Sequence, residues 1–161
     1  MQDIRLKGAI SFCIILTIIV IDYFSKQYAL IFDQNYVLNS FITIYKMNNY
    51  GIAFSLFNEL ESVGQLILNI VIFFILVFIA RELFTNLTSS NLYLLGLSLI
   101  LGGGSANFID RYDNSAVTDF IILHYKDIYF PAVFNIADLS ISIGAVLIII
   151  YYMRDKANEV H

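Results

Sequence analysis

The chain has 161 residues, of which 59% are hydrophobic and 14% charged, and a formal net charge of −4. A soluble domain is roughly one quarter charged, so the composition excludes a small globular protein and describes an integral membrane one. The acidic balance argues against a nucleic-acid partner, because phosphate backbones attract clustered Lys and Arg.

The single cysteine, Cys13, excludes an intrachain disulfide and a thiolate metal site. One Pro, no low-complexity tract and no internal repeat point to one domain over 1–161.

The first apolar segment runs over about 8–30. Arg5 and Lys7 precede it, as in a signal peptide, but no A-x-A-like exit follows and the run meets charged Asp22 and Lys26. It is read as a retained membrane helix. Cys13 within it reads as a small lipid- or neighbour-facing hydrophobe, and Phe12 before it excludes a lipobox.

Residues 33–62 alternate and carry β-branched and aromatic side chains. They predict two short strands within 33–57, with Asn48-Asn49-Tyr50-Gly51 as the turn between them. Tyr36, Phe41, Tyr45, Tyr50, Phe54 and Phe57 are expected at headgroup level.

Three more apolar segments follow, over about 63–80, 92–109 and 135–153. Each is near the ~20 residues that cross a ~30 Å hydrocarbon core, and backbone in lipid must be helical to satisfy its polar groups. Gln65 and Asn69 in the second read as interhelical hydrogen-bonders. In the third, Gly102-Gly103-Gly104 is not a phosphate loop, since no Lys-Ser/Thr follows. It permits close helix packing or backbone approach to a ligand. Residues 115–123 read as a further strand. The expected fold is therefore an all-α membrane protein of four transmembrane helices with a small extracytoplasmic β-sheet on the outer surface.

Arg5, Lys7, Arg81, Arg154 and Lys156 fall on one side of the membrane, and Lys26, Lys46, Arg111 and Lys126 on the other. The bias favours both termini in the cytoplasm. At 1.5 Å per residue, Asp22 stands about 14 residues, roughly 21 Å, above the start of the first helix. Asp138 stands about 16 residues, roughly 24 Å, above Arg154. Asp110 and Arg111 emerge at the outer end of the third helix. Acids from three helices thus converge on one depth.

Two carboxylates held close share one proton and titrate as a unit. One takes a proton from water while the other, protonated, polarises a carbonyl, with no nucleophile, metal or cofactor needed. Asp119 and Asp138 are the candidates. By spacing alone Asp138 reads equally as the N3 partner of a helix cap at Asn135, and Asp119 as a solvated loop acid, like Asp113 and Asp127. Asp110 and Arg111 invite an ion pair, and Arg111 also suits a substrate carbonyl or lipid phosphate. Asn107 lies one turn before Arg111 on the same face. No G-x-S-x-G elbow accompanies His124 or His161, and no H-E-x-x-H occurs.

Five motifs in order resemble the lipoprotein signal peptidases, signal peptidase II. They are Asp22-Tyr-Phe-Ser25-Lys26, Asn49-Tyr-Gly51-Ile-Ala53-Phe54, Gly102-Gly103-Gly104-Ser-Ala-Asn107-Phe-Ile-Asp110-Arg111, Val117-Thr-Asp119-Phe120 and Phe134-Asn135-Ile-Ala137-Asp138. Gly104 departs from the Ala that often follows the family's Gly pair.

The resemblance implies an aspartyl endopeptidase of the bacterial cytoplasmic membrane, with its active site at the outer face. Its substrates would be diacylglyceryl-modified prolipoproteins, cut before the lipidated cysteine. Asp119 and Asp138 would be the catalytic pair. Asp22, Lys26, Asn49, Gly51, Asn107, Arg111, Asn135 and Ala137 would support it or bind substrate. The resemblance also implies a monomer among membrane lipids, inhibited by globomycin-type cyclic peptides. The rival reading is a small proton-coupled transporter or channel component, since intramembrane acids also mark proton relays. Such sites lie near the midplane, whereas these acids gather at the outer edge.

Overall fold

The computed structural model describes residues 2–32, 35–51, 61–126 and 128–159. Among the described residues four helices carry the fold: α1 Gln2–Ala29, α2 Glu61–Thr85, α3 Asn91–Asn114 and α4 Ile136–Glu159. All four are long and apolar enough to cross a membrane. They outrun their apolar stretches. Lys, Arg and Glu are good helix formers, so the turns bearing Arg5, Lys7, Arg81 and Arg154 stay helical beyond the hydrocarbon-length core.

The start of α3 is set by Ser90, whose side chain accepts from the Tyr93 amide at 3.3 Å. Its end is set by Ser115, which takes a left-handed conformation at φ 57°.

α3 is the post against which the other three helices pack. Its three consecutive glycines each serve a different neighbour. Successive helix positions turn by about 100°, so Gly102 meets α1 at Ile15 and Ile18, Gly103 meets the α4 backbone at Ala137, and Gly104 meets Leu76 of α2. Of the two uses expected for this triplet, packing is the one observed. Lower in the bundle Gly96 and Gly144 face each other across α3 and α4. There the buried Leu83, Tyr93, Leu94, Leu97 and Leu101 form the apolar core. The Tyr93 hydroxyl donates to Glu82 at 2.8 Å and ties α2 to α3.

At the other end lies a four-stranded antiparallel sheet of β1 Tyr36–Val37, β2 Ile42–Asn49, β3 Val117–Tyr125 and β4 Ile128–Phe134, in that spatial order. It departs from the sequence reading in three places. The β1–β2 turn sits at Asn39, not at Asn48–Gly51. The Asn39 side chain accepts from the amides of Phe41 and Ile42 at 2.8 and 3.0 Å, a local turn that competes successfully for the chain. Asn48 and Asn49 instead pair with Thr118 and Val117 of β3.

β3 begins at Val117 rather than 115, because Ser115 is still closing α3. β4 was hidden by Pro131, which weakens any strand reading; β4 is the sheet's edge, where a missing amide is tolerated.

Tyr36, Phe41, Tyr45 and Tyr50 are exposed on the sheet and its rim, while Phe54, Phe57, Asp127 and His161 lie outside the described residues. Asp113 is exposed in the last turn of α3, not in a loop. The buried side-chain oxygen of Asn69 has no hydrogen-bond partner among the described residues.

Candidate active site

Asp119 is the third residue of β3 and only 1% exposed. Asp138 stands in the first turn of α4. Between them in space is Asn135, wholly buried, which caps α4 and touches both acids. Its side-chain oxygen accepts from the Asp138 amide at 2.8 Å, and its own amide donates to Asp138 Oδ2 at 3.2 Å. This reciprocal box satisfies two otherwise orphaned donors at the helix start. Its Nδ2 donates to Asp119 Oδ1 at 2.7 Å. The cap read from spacing and the carboxylate pair are therefore one construction.

Each remaining carboxylate oxygen has its own amide donor. Asn49 Nδ2, at the end of β2, donates to Asp119 Oδ2 at 2.9 Å. Asn107 Nδ2, on α3, donates to Asp138 Oδ1 at 2.8 Å. Asn49 is itself held, its oxygen accepting from the Gly51 amide at 2.9 Å. Gly51 has φ 89°, a left-handed value that favours glycine. These four positions thus form one hydrogen-bonded unit with the two acids, drawn from β2, α3, β3 and α4.

Beneath it lies a buried ion cluster. Lys26 Nζ reaches Asp22 Oδ2 at 2.7 Å, Asp110 Oδ2 at 3.0 Å and Asn107 Oδ1 at 2.9 Å, which uses all three of its donors. Each carboxylate then extends to the backbone beside one candidate acid. Asp22 Oδ1 accepts from the Ala137 amide at 2.9 Å, one residue before Asp138. Asp110 Oδ2 accepts from the Thr118 amide at 2.7 Å, one residue before Asp119. Lys26 therefore holds both acid-bearing segments through two matched arms. Ala137 is fully buried, its carbonyl packed against Gly103.

The expected Asp110–Arg111 ion pair is not formed: Asp110 pairs with Lys26. Neighbouring helix positions do not face each other. Asp110 turns to Lys26 of α1, as does Asn107 one turn earlier, and leaves Arg111 without an ion pair among the described residues. Arg111 is half-buried, and its Nε has no hydrogen-bond partner among the described residues.

Two contributors escaped the sequence reading. Asp110 was assigned to the wrong partner, and Thr118 acts through its backbone amide, which leaves no mark on residue type.

Burial is the largest influence on Asp119 and pushes its carboxyl up to about 6. The amide of Asn49 pulls the other way, Asp138's charge adds to the rise, and Asn135 opposes it. Asp119 thus favours its neutral form in a range where an ordinary aspartate is ionised, beside a second carboxylate held by amides.

The family profile of signal peptidase (SPase) II matches residues 14–154. The lipoprotein signal peptidase of Clostridium tetani is 33% identical over 145 residues, 88% of this chain and 90% of that protein. That of Wigglesworthia glossinidia brevipalpis is 39% identical over 142 residues, 84% of this chain and 89% of that protein. Two solved structures of a bacterial membrane enzyme superpose with TM-scores of 0.70 and 0.71, at 27% and 28% identity. They cover 93% and 91% of this chain, and 91% and 94% of theirs. With a profile spanning nearly its whole length and relatives of matching size, this chain belongs to the lipoprotein signal peptidase (signal peptidase II) family.

Proposed function

We propose that this protein, acting as a single domain over 1–161, is an aspartyl endopeptidase. It removes the signal peptide from diacylglyceryl-modified prolipoproteins, cutting before the lipidated cysteine. The observation that carries the reading is the Asn135 bridge, which touches Asp119 and Asp138 at once and fixes their relative geometry. Membership of the lipoprotein signal peptidases supports the substrate class.

The chemistry follows from the two environments. Asp119, raised by burial, holds the shared proton. Asp138, half-buried with Asn107 and Asn135 as donors, is the base. Water attacks the scissile carbonyl carbon and gives a proton to Asp138, while the Asp119 proton moves to the carbonyl oxygen. The tetrahedral diol then collapses. Asp138 returns its proton to the departing nitrogen, one hydroxyl proton goes back to Asp119, and the C–N bond breaks. The products are a carboxylic acid on the signal peptide, which then gives its proton to water, and a free amine on the lipidated cysteine.

Asp22, Lys26 and Asn107 keep the pair aligned; Asn49 and Gly51 close it from β2; Arg111, with donor capacity to spare, receives a substrate carbonyl. The sheet lies on the outer face of the bacterial cytoplasmic membrane with both termini inside. The protein works as a monomer among membrane lipids and is blocked by globomycin-type cyclic peptides. The transport reading is less well supported, because the acids sit at the sheet end of the bundle and not at mid-depth.

A cleavage assay on one precursor, with and without its diacylglyceryl group, tests this. The lipidated form should be cut, leaving cysteine as the product's first residue. Equal rates on both forms, or a cut elsewhere, would contradict the proposal.

A further inference from the structure

A cavity of about 390 Å³ lies on the α1 side of α3, and neither Asp119 nor Asp138 lines it. Its α3 wall includes Ile109 and Asp113. Ala106, Asp110 and Asn114 complete that wall, so the cavity adjoins the candidate active site through the ion cluster that Lys26 shares with Asn107. Its floor is the ion cluster of Asp22, Lys26 and Asp110. Its mouth passes Val20, Tyr23 and Phe24, all exposed on a helix apolar enough to cross a membrane. Apolar chains of lipid can therefore enter along these three residues, while the exposed Lys46 and Asp113 line its polar part.

Two further charges select among lipids. Lys46 of β2 and Asp113 of α3 both line the cavity and both are exposed. Neither forms an ion pair among the described residues. The lining holds three carboxylates, Asp22, Asp110 and Asp113, against two ammonium groups, Lys26 and Lys46. A purely anionic headgroup would leave Asp113 unmatched in an already acidic lining. A headgroup with a phosphate for Lys46 and a cation for Asp113 matches both.

A primary ammonium can also donate to the side-chain oxygens of Asn48 of β2 and Asn114 of α3, which both line the cavity. A quaternary one has no proton to give.

We infer that this cavity binds a phosphatidylethanolamine, phosphate on Lys46 and ammonium on Asp113, with the start of its acyl chains along Val20, Tyr23 and Phe24. The bound headgroup covers the ion cluster that anchors the Ala137 and Thr118 amides. Excluding water there strengthens those contacts and steadies both acid-bearing segments. The inference rests on the proposed function only for the leaflet involved. Binding is measured without substrate, so its failure is distinct from a failure of the peptidase reading.

The test uses the full-length protein in detergent, titrated with dihexanoyl phosphatidylethanolamine, phosphatidylcholine and phosphatidylglycerol by native mass spectrometry. An exposed charge contact changes affinity by roughly two- to fivefold, so phosphatidylethanolamine should bind at least about threefold tighter than either other lipid. Lys46→Ala and Asp113→Asn should each erase that preference, and Lys46→Arg should keep it. The lipid-free unfolding temperature, unchanged in all three variants, establishes that they fold. Equal binding of the three lipids by the parent protein would overturn the inference, as would an undiminished preference in both Lys46→Ala and Asp113→Asn.

Discussion

Asp119 and Asp138 carry the same functional group, and their surroundings separate them. Asp119 sits in a strand with its carboxylate withdrawn from water, and burial lifts it to about 6. A carboxyl raised in this way adds stability below its unfolded value of about 4, and the contribution is lost as pH rises through about 6. Asp119→Asn should therefore flatten the pH dependence of unfolding between about pH 4 and 7, a slope worth up to about 3 kcal/mol.

Activity follows the same proton. If Asp119 is the acid, kcat/KM should decline as pH rises above about 6. A pH–rate profile that climbs through that range would assign Asp119 the base role instead.

Residue types made much of this site legible, because carboxylates, amides and a lysine at membrane depth are costly and need partners. Which partner each one finds was less legible. Asp110 beside Arg111 in sequence suggested a pair, but helix geometry points them apart and sends Asp110 to Lys26.

At the scale of elements, the three consecutive glycines of α3 let three helices converge on one level. The consequences of filling each differ. A side chain at Gly103 would run into the Ala137 carbonyl, which cannot move without shifting α4 and Asp138. At Gly104 it would meet only the flexible end of Leu76. Gly103→Ala should destabilise by about 1–3 kcal/mol and, through a misplacement of ~1 Å at Asp138, slow cleavage on the order of a hundredfold. Gly104→Ala should do clearly less on both counts. Thermal unfolding and cleavage rates of the two variants decide this, and equal effects would contradict it.

Helix number and type were readable because apolar runs of spanning length leave the backbone few alternatives. The sheet was less so. Asn48-Asn49-Tyr50-Gly51 has the composition of a turn, yet β3 claims its two asparagines, and the turn falls to Asn39. Pro131 concealed β4, since nothing local to a sequence tells an edge strand from a central one.

For the whole molecule, the organising contact is Lys26. It joins α1 to α3 directly and, through Asp22 and Asp110, to the first turn of α4 and the start of β3. Removing one partner from a buried ion cluster leaves uncompensated charge and typically costs about 3–5 kcal/mol. Lys26→Met should lower the unfolding temperature markedly and reduce cleavage even where the protein still folds. A variant of parental stability and rate would show that the cluster is not what aligns the acids.

In the proposed mechanism Asp119 and Asp138 act together on one water. The most direct measurement is cleavage of a purified, lipidated precursor by the parent enzyme and Asp138→Asn side by side, with unfolding temperatures recorded for both. The variant should fold and its cleavage should be lost. A folded Asp138→Asn that releases the signal peptide at the parental rate would contradict that mechanism.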